Sequence, residues 1–302
     1  MSKAYKINML ALFAGALLGM VLIGVLYLAA PTEDDRVDQF IADNSFRREI
    51  LFDRMIDVAE QARAIPVGTI DELNVESREE MTTAKMNFIY DELLGSPNST
   101  VAQLDDFPAD LKTDFFPSGR SVLMPKIFKT EYGLGDASTL VNSMLEMDNC
   151  VFYGLDTLEG FYDSMDRLEY VFLVRFGDRM DPHVKAESFE RGYQKAEAFC
   201  FEVKSGRLLG GFSFAATNGD EVSVRFHTTQ WQSGEASLAV SNELDENLET
   251  AFWNKLHEMN PHVSSMFDDH ELPYSEETLD HSERLFRVWR SQQSAEATEP
   301  TQ

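Results

Sequence analysis

The run from Ile7 to Ala30 carries no charged residue, and Asn8 is its one strongly polar side chain. At 1.5 Å rise per residue a helix of that length reaches about 36 Å, enough to cross a ~30 Å hydrocarbon layer with some tilt. A secretory apolar region is shorter, about 7–15 residues. The run therefore reads as a transmembrane anchor; Leu28-Ala29-Ala30 is where a peptidase would cut if it were instead a removable signal. Lys3 and Lys6 precede it, while Glu33, Asp34 and Asp35 follow. The positive-inside rule then leaves residues 1–6 in the cytoplasm and exports everything after Pro31. The expected location is the plasma (inner) membrane, single-pass, with a periplasmic or extracellular domain attached through its N-terminal helix.

Ala11, Gly15 and Gly19 repeat a small residue at four-residue spacing along one face of this anchor. Such faces let helix backbones approach closely in lipid, against a partner helix or a second copy. Self-association through the anchor is one expectation; the competing reading is that Gly and Ala are simply common in membrane helices.

The chain of 302 residues holds 52 acidic against 26 basic side chains, a formal charge of -26. Nucleic acid is excluded as a partner, because binding it needs cations to displace phosphate counterions. Adhesion to anionic lipid is excluded on the same ground. With 43% apolar and 11% aromatic residues the exported part has enough to build a core.

Its first half, residues 31–146, reads as mainly helical and membrane-proximal. Leu51, Met55, Val58, Ala62 and Ile65 form one helical stripe over 47–65, ended by Pro66 and Gly68. Thr69 with Glu72 and Ser77 with Glu80 match the capping box. The second box predicts a helix carrying Met81, Ala84, Phe88 and Leu93, closed by Gly95 and Pro97. Asp136 is placed to cap a third, with Leu140, Val141, Met144 and Leu145 inward. The stretch 98–135, rich in Pro and Gly with interspersed Phe, reads as ordered loop.

Residues 147–290 change character. Leu168–Phe176 is a β-branched and aromatic run of strand length. Ala196–Val203 and Leu208–Ala216 flank Lys204-Ser205-Gly206-Arg207 and predict a hairpin. Thr217-Asn218-Gly219-Asp220 offers another turn before an alternating strand over 221–226, and Cys150–Tyr153 is a candidate first strand. Helices over 241–259 and 276–290 should cover one face. The expected fold is α+β: an antiparallel β-meander covered by C-terminal helices, followed by a disordered acidic and polar tail over 291–302.

Candidate chemistry is sparse. Cys150 and Cys200 lie on or beside expected strands in an oxidising compartment, which admits a disulfide; two buried thiols are the equal alternative. Asp178, Asp181 and His183 follow a strong strand and could ligate a cation or exchange protons, although Asp181-Pro182 is also plain turn chemistry. His257, His262, His270 and His281 gather near carboxylates. His257-Glu258 and His262 miss the H-E-x-x-H spacing, and Pro261 breaks the helix that motif needs. Gly211-Phe212-Ser213-Phe214-Ala215 lacks the last glycine of the nucleophile elbow, and Lys204-Ser205-Gly206 has no S-x-x-K to accompany it. Asn98-Ser99-Thr100 is a glycosylation sequon in form. With neither a Walker A loop nor G-x-G-x-x-G, no cofactor is expected.

Three functional classes remain open on this reading. A tethered non-enzymatic module that binds a protein partner in the envelope or supports a membrane complex comes first. A small-ligand sensor and a metal-assisted envelope hydrolase follow it.

Overall fold

The computed structural model describes residues 33–73, 75–88, 98–107, 159, 162–163, 166–185, 188–222, 233–264 and 271–296. The run 7–30, with Ala11, Gly15 and Gly19, lies outside them, as do Cys150 and the expected third helix. Among the described residues no helix is long and apolar enough to cross a membrane.

Four strands form the main sheet, in the order β1 (Ser99–Gln103), β2 (Tyr170–Met180), β5 (Tyr193–Glu202) and β6 (Arg207–Thr217). A separate two-stranded hairpin, β3 (His183–Lys185) and β4 (Ser188–Glu190), occupies the link from β2 to β5. The β5–β6 hairpin follows the turn chemistry: Gly206 adopts φ 67°, which a side chain would disfavour, between strands paired from Glu202–Arg207 to Tyr193–Thr217.

Alternation along β2 sends Val171 and Leu173 to one face and Phe172 and Val174 to the other, with all four fully buried. A strand apolar on both faces needs a cover on each. Helix α1 (Glu33–Ala64) supplies the first, packing Leu51, Met55, Val58, Ala59 and Ala62 against Val171, Leu173, Phe199 and Phe201. Helix α3 (Ser233–Met259) supplies the second, packing Leu244, Leu248, Phe252 and Leu256 against Phe172, Ala198, Phe212 and Phe214. Phe252 meets the rings of Phe172 edge-on at 5.7 Å and of Phe212 at 5.6 Å. The sheet is thus the middle of three layers. Helix α4 (Glu276–Glu296) docks beyond the end of β5 through Phe286, whose ring lies 5.1 Å from Tyr193.

The α+β class, the antiparallel pairing of β2, β5 and β6, and the C-terminal helices agree with the sequence. Several details differ. The sheet is not a pure meander: β1 pairs parallel to β2, from Ser99–Tyr170 to Gln103–Val174, within a stretch read as loop. The helix opened by Ser77 is only α2 (Arg78–Thr83), and Ser77 makes no capping bond; its hydroxyl donates to the Leu208 carbonyl at 2.8 Å. Tertiary pairing overrides the capping box there. The chain turns extended at Ala84 and hydrogen-bonds Ser264 from both Met86 and Phe88. Glu221 and Val222 lie outside any strand, and 223–230 fall outside the described residues. Helix α4 continues through Glu296, into the segment expected as tail, with Arg287 paired to Glu283 one turn back at 2.7 Å.

Candidate functional site

A groove of about 1030 Å³ opens where the β3–β4 hairpin, the start of α3 and the outer face of α4 converge. Its placement begins in β2. A register shift between Phe176 and Arg179 bulges the strand and re-aims Arg179 toward α3. There its guanidinium pairs with Asp245, donates to the Ser241 hydroxyl at 2.8 Å and to Gln194 at 3.1 Å, and holds Asp181 at 2.7 Å. Burial disfavours the charge on Arg179, but the hydrogen bond and field of Asp245 outweigh it and raise its pKa.

The hairpin returns to the sheet through Gly192. A Cβ there would stand 2.8 Å from Leu244, the Met180 carbonyl and Pro182, so only glycine allows so close a crossing over α3. Asn218, fully buried, fastens this crossing. Its Oδ1 accepts from the Gly192 amide at 2.9 Å, and its Nδ2 donates to the Val240 carbonyl and to Glu243, each at 2.7 Å. Thr217 donates to the Gly192 carbonyl and lies 2.8 Å from Ser282 of α4. Four elements therefore meet on one buried polar knot, which sets the groove's walls.

Ala236 and Val240 of α3 form the floor; Val184 and Phe189 stand on the hairpin side. The opposite wall is a stripe on α4 comprising His281, Leu285, Val288, Trp289 and Gln292. Helix α4 buries Ser282 and Phe286 against the sheet, and Trp289 stacks on Phe286 at 5.6 Å. Leu285 and Val288 stay 47% and 56% exposed side by side on the helix, as Phe46 and Ile50 do one turn apart on α1. Around the mouth lie Asp181, Glu190, Asp220 and Glu221, against Arg191 as the one lining Lys or Arg among the described residues. Asp220 pairs with Arg191, and Glu190 with Lys185, which holds that carboxyl below its ordinary range.

Of the three residues proposed as a cation or proton-transfer site, Asp181 and His183 line this groove but Asp178 does not. Asp178 pairs with Arg290 of α4 at 2.9 Å, and Asp181 with Arg179. Among the described residues no three His, Cys, Asp or Glu side chains are placed to hold a metal ion. His281 shares the groove, His262 borders a different cleft, and His270 lies outside the described residues. Ser213 is held by Asp71, whose carboxylate accepts from both its amide and its hydroxyl, fastening the loop after α1 to β6. Asn98 of the sequon accepts from the Asn87 amide at 2.8 Å, and Ser99 and Thr100 are fully buried in β1. Cys200 is wholly buried in the α3-side core, where burial pushes its thiol pKa up. Its candidate partner Cys150 lies outside the described residues.

Leu285 and Val288 were not singled out in the sequence. The available signal was spacing: His281, Leu285, Val288 and Gln292 recur at helical spacing, offset from Ser282 and Phe286, which are buried.

A second cleft, about 650 Å³, gathers Lys85, Arg167 and Lys204 with Asp166 and Glu169 among them. Asp166 there pairs with Arg47 of α1.

No protein family matches the chain, and no curated protein matches it.

Proposed function

We propose that this chain is a membrane-anchored, exported acidic module that acts by holding another protein of the envelope, with no catalysis of its own. Its working surface is the groove between the β3–β4 hairpin and α4. One observation carries the reading: Leu285 and Val288 stand exposed side by side on a helix that already buries a different face. Leaving about half of each side chain in water forgoes roughly 0.7–1.5 kcal/mol apiece relative to full burial, which a docking partner would recover. The charge-free run 7–30 supports the anchor, and Lys3 and Lys6 ahead of it support a cytoplasmic N-terminus with the domain exported. The face of Ala11, Gly15 and Gly19 offers a further contact within the lipid.

A photo-crosslinking amino acid at position 288 in the full chain, expressed in its own membrane, tests this. The control is position 238, where Leu238 is equally exposed on α3 but lies outside the groove. The expected result is a discrete heavier adduct from position 288 and none from 238. No adduct from 288, or equal smears from both, would overturn the assignment of the groove. A small ligand is the second reading, favoured by a volume suited to a drug-sized molecule beside Phe189 and Trp289; thermal stabilisation by a soluble metabolite, lost in V288S, is its signature.

A further inference from the structure

We infer that the occupant of the groove is a cationic amphipathic helix of a protein partner, an assignment that rests on the reading of the groove as a docking surface. Shape is the first argument. The α4 stripe from His281 to Gln292 extends about 16 Å along the helix, three turns, and the β3–β4 hairpin stands across from it. A second helix lying alongside would set its own apolar stripe on Leu285 and Val288, with a polar mouth on either side.

Charge is the second argument. Four carboxylates line the mouth; among the described residues Arg191 is the lining Lys or Arg and pairs with Asp220, while Lys185 pairs with Glu190 and Arg179 with Asp181 from outside the lining. Glu221 is exposed and has no ion-pair partner among the described residues. Lys or Arg side chains flanking an apolar stripe would meet Glu221 and share Glu190 and Asp220 with Lys185 and Arg191, and the overall charge of -26 would steer such a partner in. The overall charge of -26 opposes a second copy of this chain; α4 itself is mixed beside the stripe, with Arg284, Arg287 and Arg290 next to Asp280 and Glu283.

The probe is a fluorescent helical peptide of about 15 residues, Leu on one face and Lys on the other, with a Glu-for-Lys twin. The full chain is used in mild detergent at physiological salt, and binding is read by anisotropy. The Lys peptide should bind. L285S/V288S and E190Q/E221Q should each weaken it by about tenfold or more. L238S and E72Q/E79Q, exposed substitutions away from the groove, should leave it within about twofold, and circular dichroism of every variant checks the fold. The Glu twin should not bind. Equal weakening by the control pairs would reduce the effect to diffuse charge attraction and overturn the inference. So would binding of the Glu twin, or a concentration-dependent dimer that L285S/V288S abolishes. If these peptide results fail while position 288 still crosslinks to a partner, the groove remains a docking surface and only its cationic preference falls.

Discussion

Arg175 and Glu197 stand opposite each other on β2 and β5 and close an ion pair at 2.6 Å inside the α1-side core, with 14% and 5% of their side chains exposed. The pair also terminates α1. Arg175 donates to the Ile65 carbonyl at 2.7 Å and reaches those of Ala62 and Pro66, while Glu197 accepts from the Gly68 amide at 2.8 Å. Free carbonyls at a helix end need such donors. The guanidinium also lies 4.8 Å from the centre of the Phe199 ring.

Removing one partner should therefore cost more than the pair is worth. E197A leaves a buried guanidinium without its anion and should lower unfolding free energy by about 3 kcal/mol; E197Q, which keeps an acceptor, by about 1 kcal/mol. Urea midpoints at constant slope measure both. Equal, small losses would show that the α1 carbonyls alone suffice for Arg175.

Gly211 sits under the loop that follows α1. A Cβ there would come within 2.7 Å of Ile70, and the Ala198 carbonyl on β5 would be closer still. Backbone in a paired strand has little room to give, so G211A should destabilise by about 3 kcal/mol or prevent folding. Gly234, in the first turn of α3, meets nothing within 4 Å, and G234A should be neutral or stabilise by up to about 1 kcal/mol. Thermal melts of the two variants provide the contrast.

The hairpin around Gly206 and the apolar face of α3 were legible in the sequence because their determinants are local: a turn signal between two β-rich runs, and Leu244, Leu248, Phe252 and Leu256 at helical spacing. Strand β1 was not. Ser99-Thr100-Val101-Ala102-Gln103 is weakly apolar, and its parallel partner Tyr170–Val174 is distant in the chain, so no short window contains the pairing. The groove was half legible. Asp181 and His183 were marked as a loop after a strong strand, but that loop folds into a hairpin whose position depends on Arg179 reaching α3 and Asn218 reaching Gly192. Those contacts join segments with no local signal for each other.

Alkaline pH should weaken the fold by a definite route. Burial raises the pKa of Cys200, Tyr193 and Tyr274 above their ordinary values, so the folded chain keeps these groups protonated. The unfolded chain ionises the thiol near pH 8.5 and the phenols near 10. Above those values the unfolded state binds fewer protons, and stability falls as pH rises. Urea midpoints should therefore be flat from about pH 7 to 8 and decline towards pH 10.5. Y193F and Y274F, which cannot ionise, should shallow that decline; an unchanged slope would show that the phenols reach water through local opening.

Cys200 also reports on opening of the sheet. In a C150S chain its thiol, buried between Phe172 on β2 and Gly210 on β6, should resist a maleimide at pH 8 and react fully in denaturant. Labelling in native buffer at a rate independent of added urea would mean the α3-side core admits reagent without unfolding.

Asn218 should be the costliest uncharged polar residue of the knot to replace. N218A leaves the Gly192 amide and the Val240 carbonyl buried without their partner, a loss of about 2–3 kcal/mol by denaturant titration. Loss of the position 288 crosslink in a folded N218A chain would show that the same contacts keep the groove in shape.

Helix α1 is long for a domain of this size. Its 32 residues make an unbroken rod of about 48 Å. Leu51 to Ala62 lie in the core, and the half nearer Glu33 is held to it by Phe40, which packs edge-on against buried Tyr162, and by Arg47, which pairs with Asp166. On the proposed reading of 7–30 as an anchor, the direction in which α1 leaves the membrane would set how far away the sheet stands and which way the groove faces.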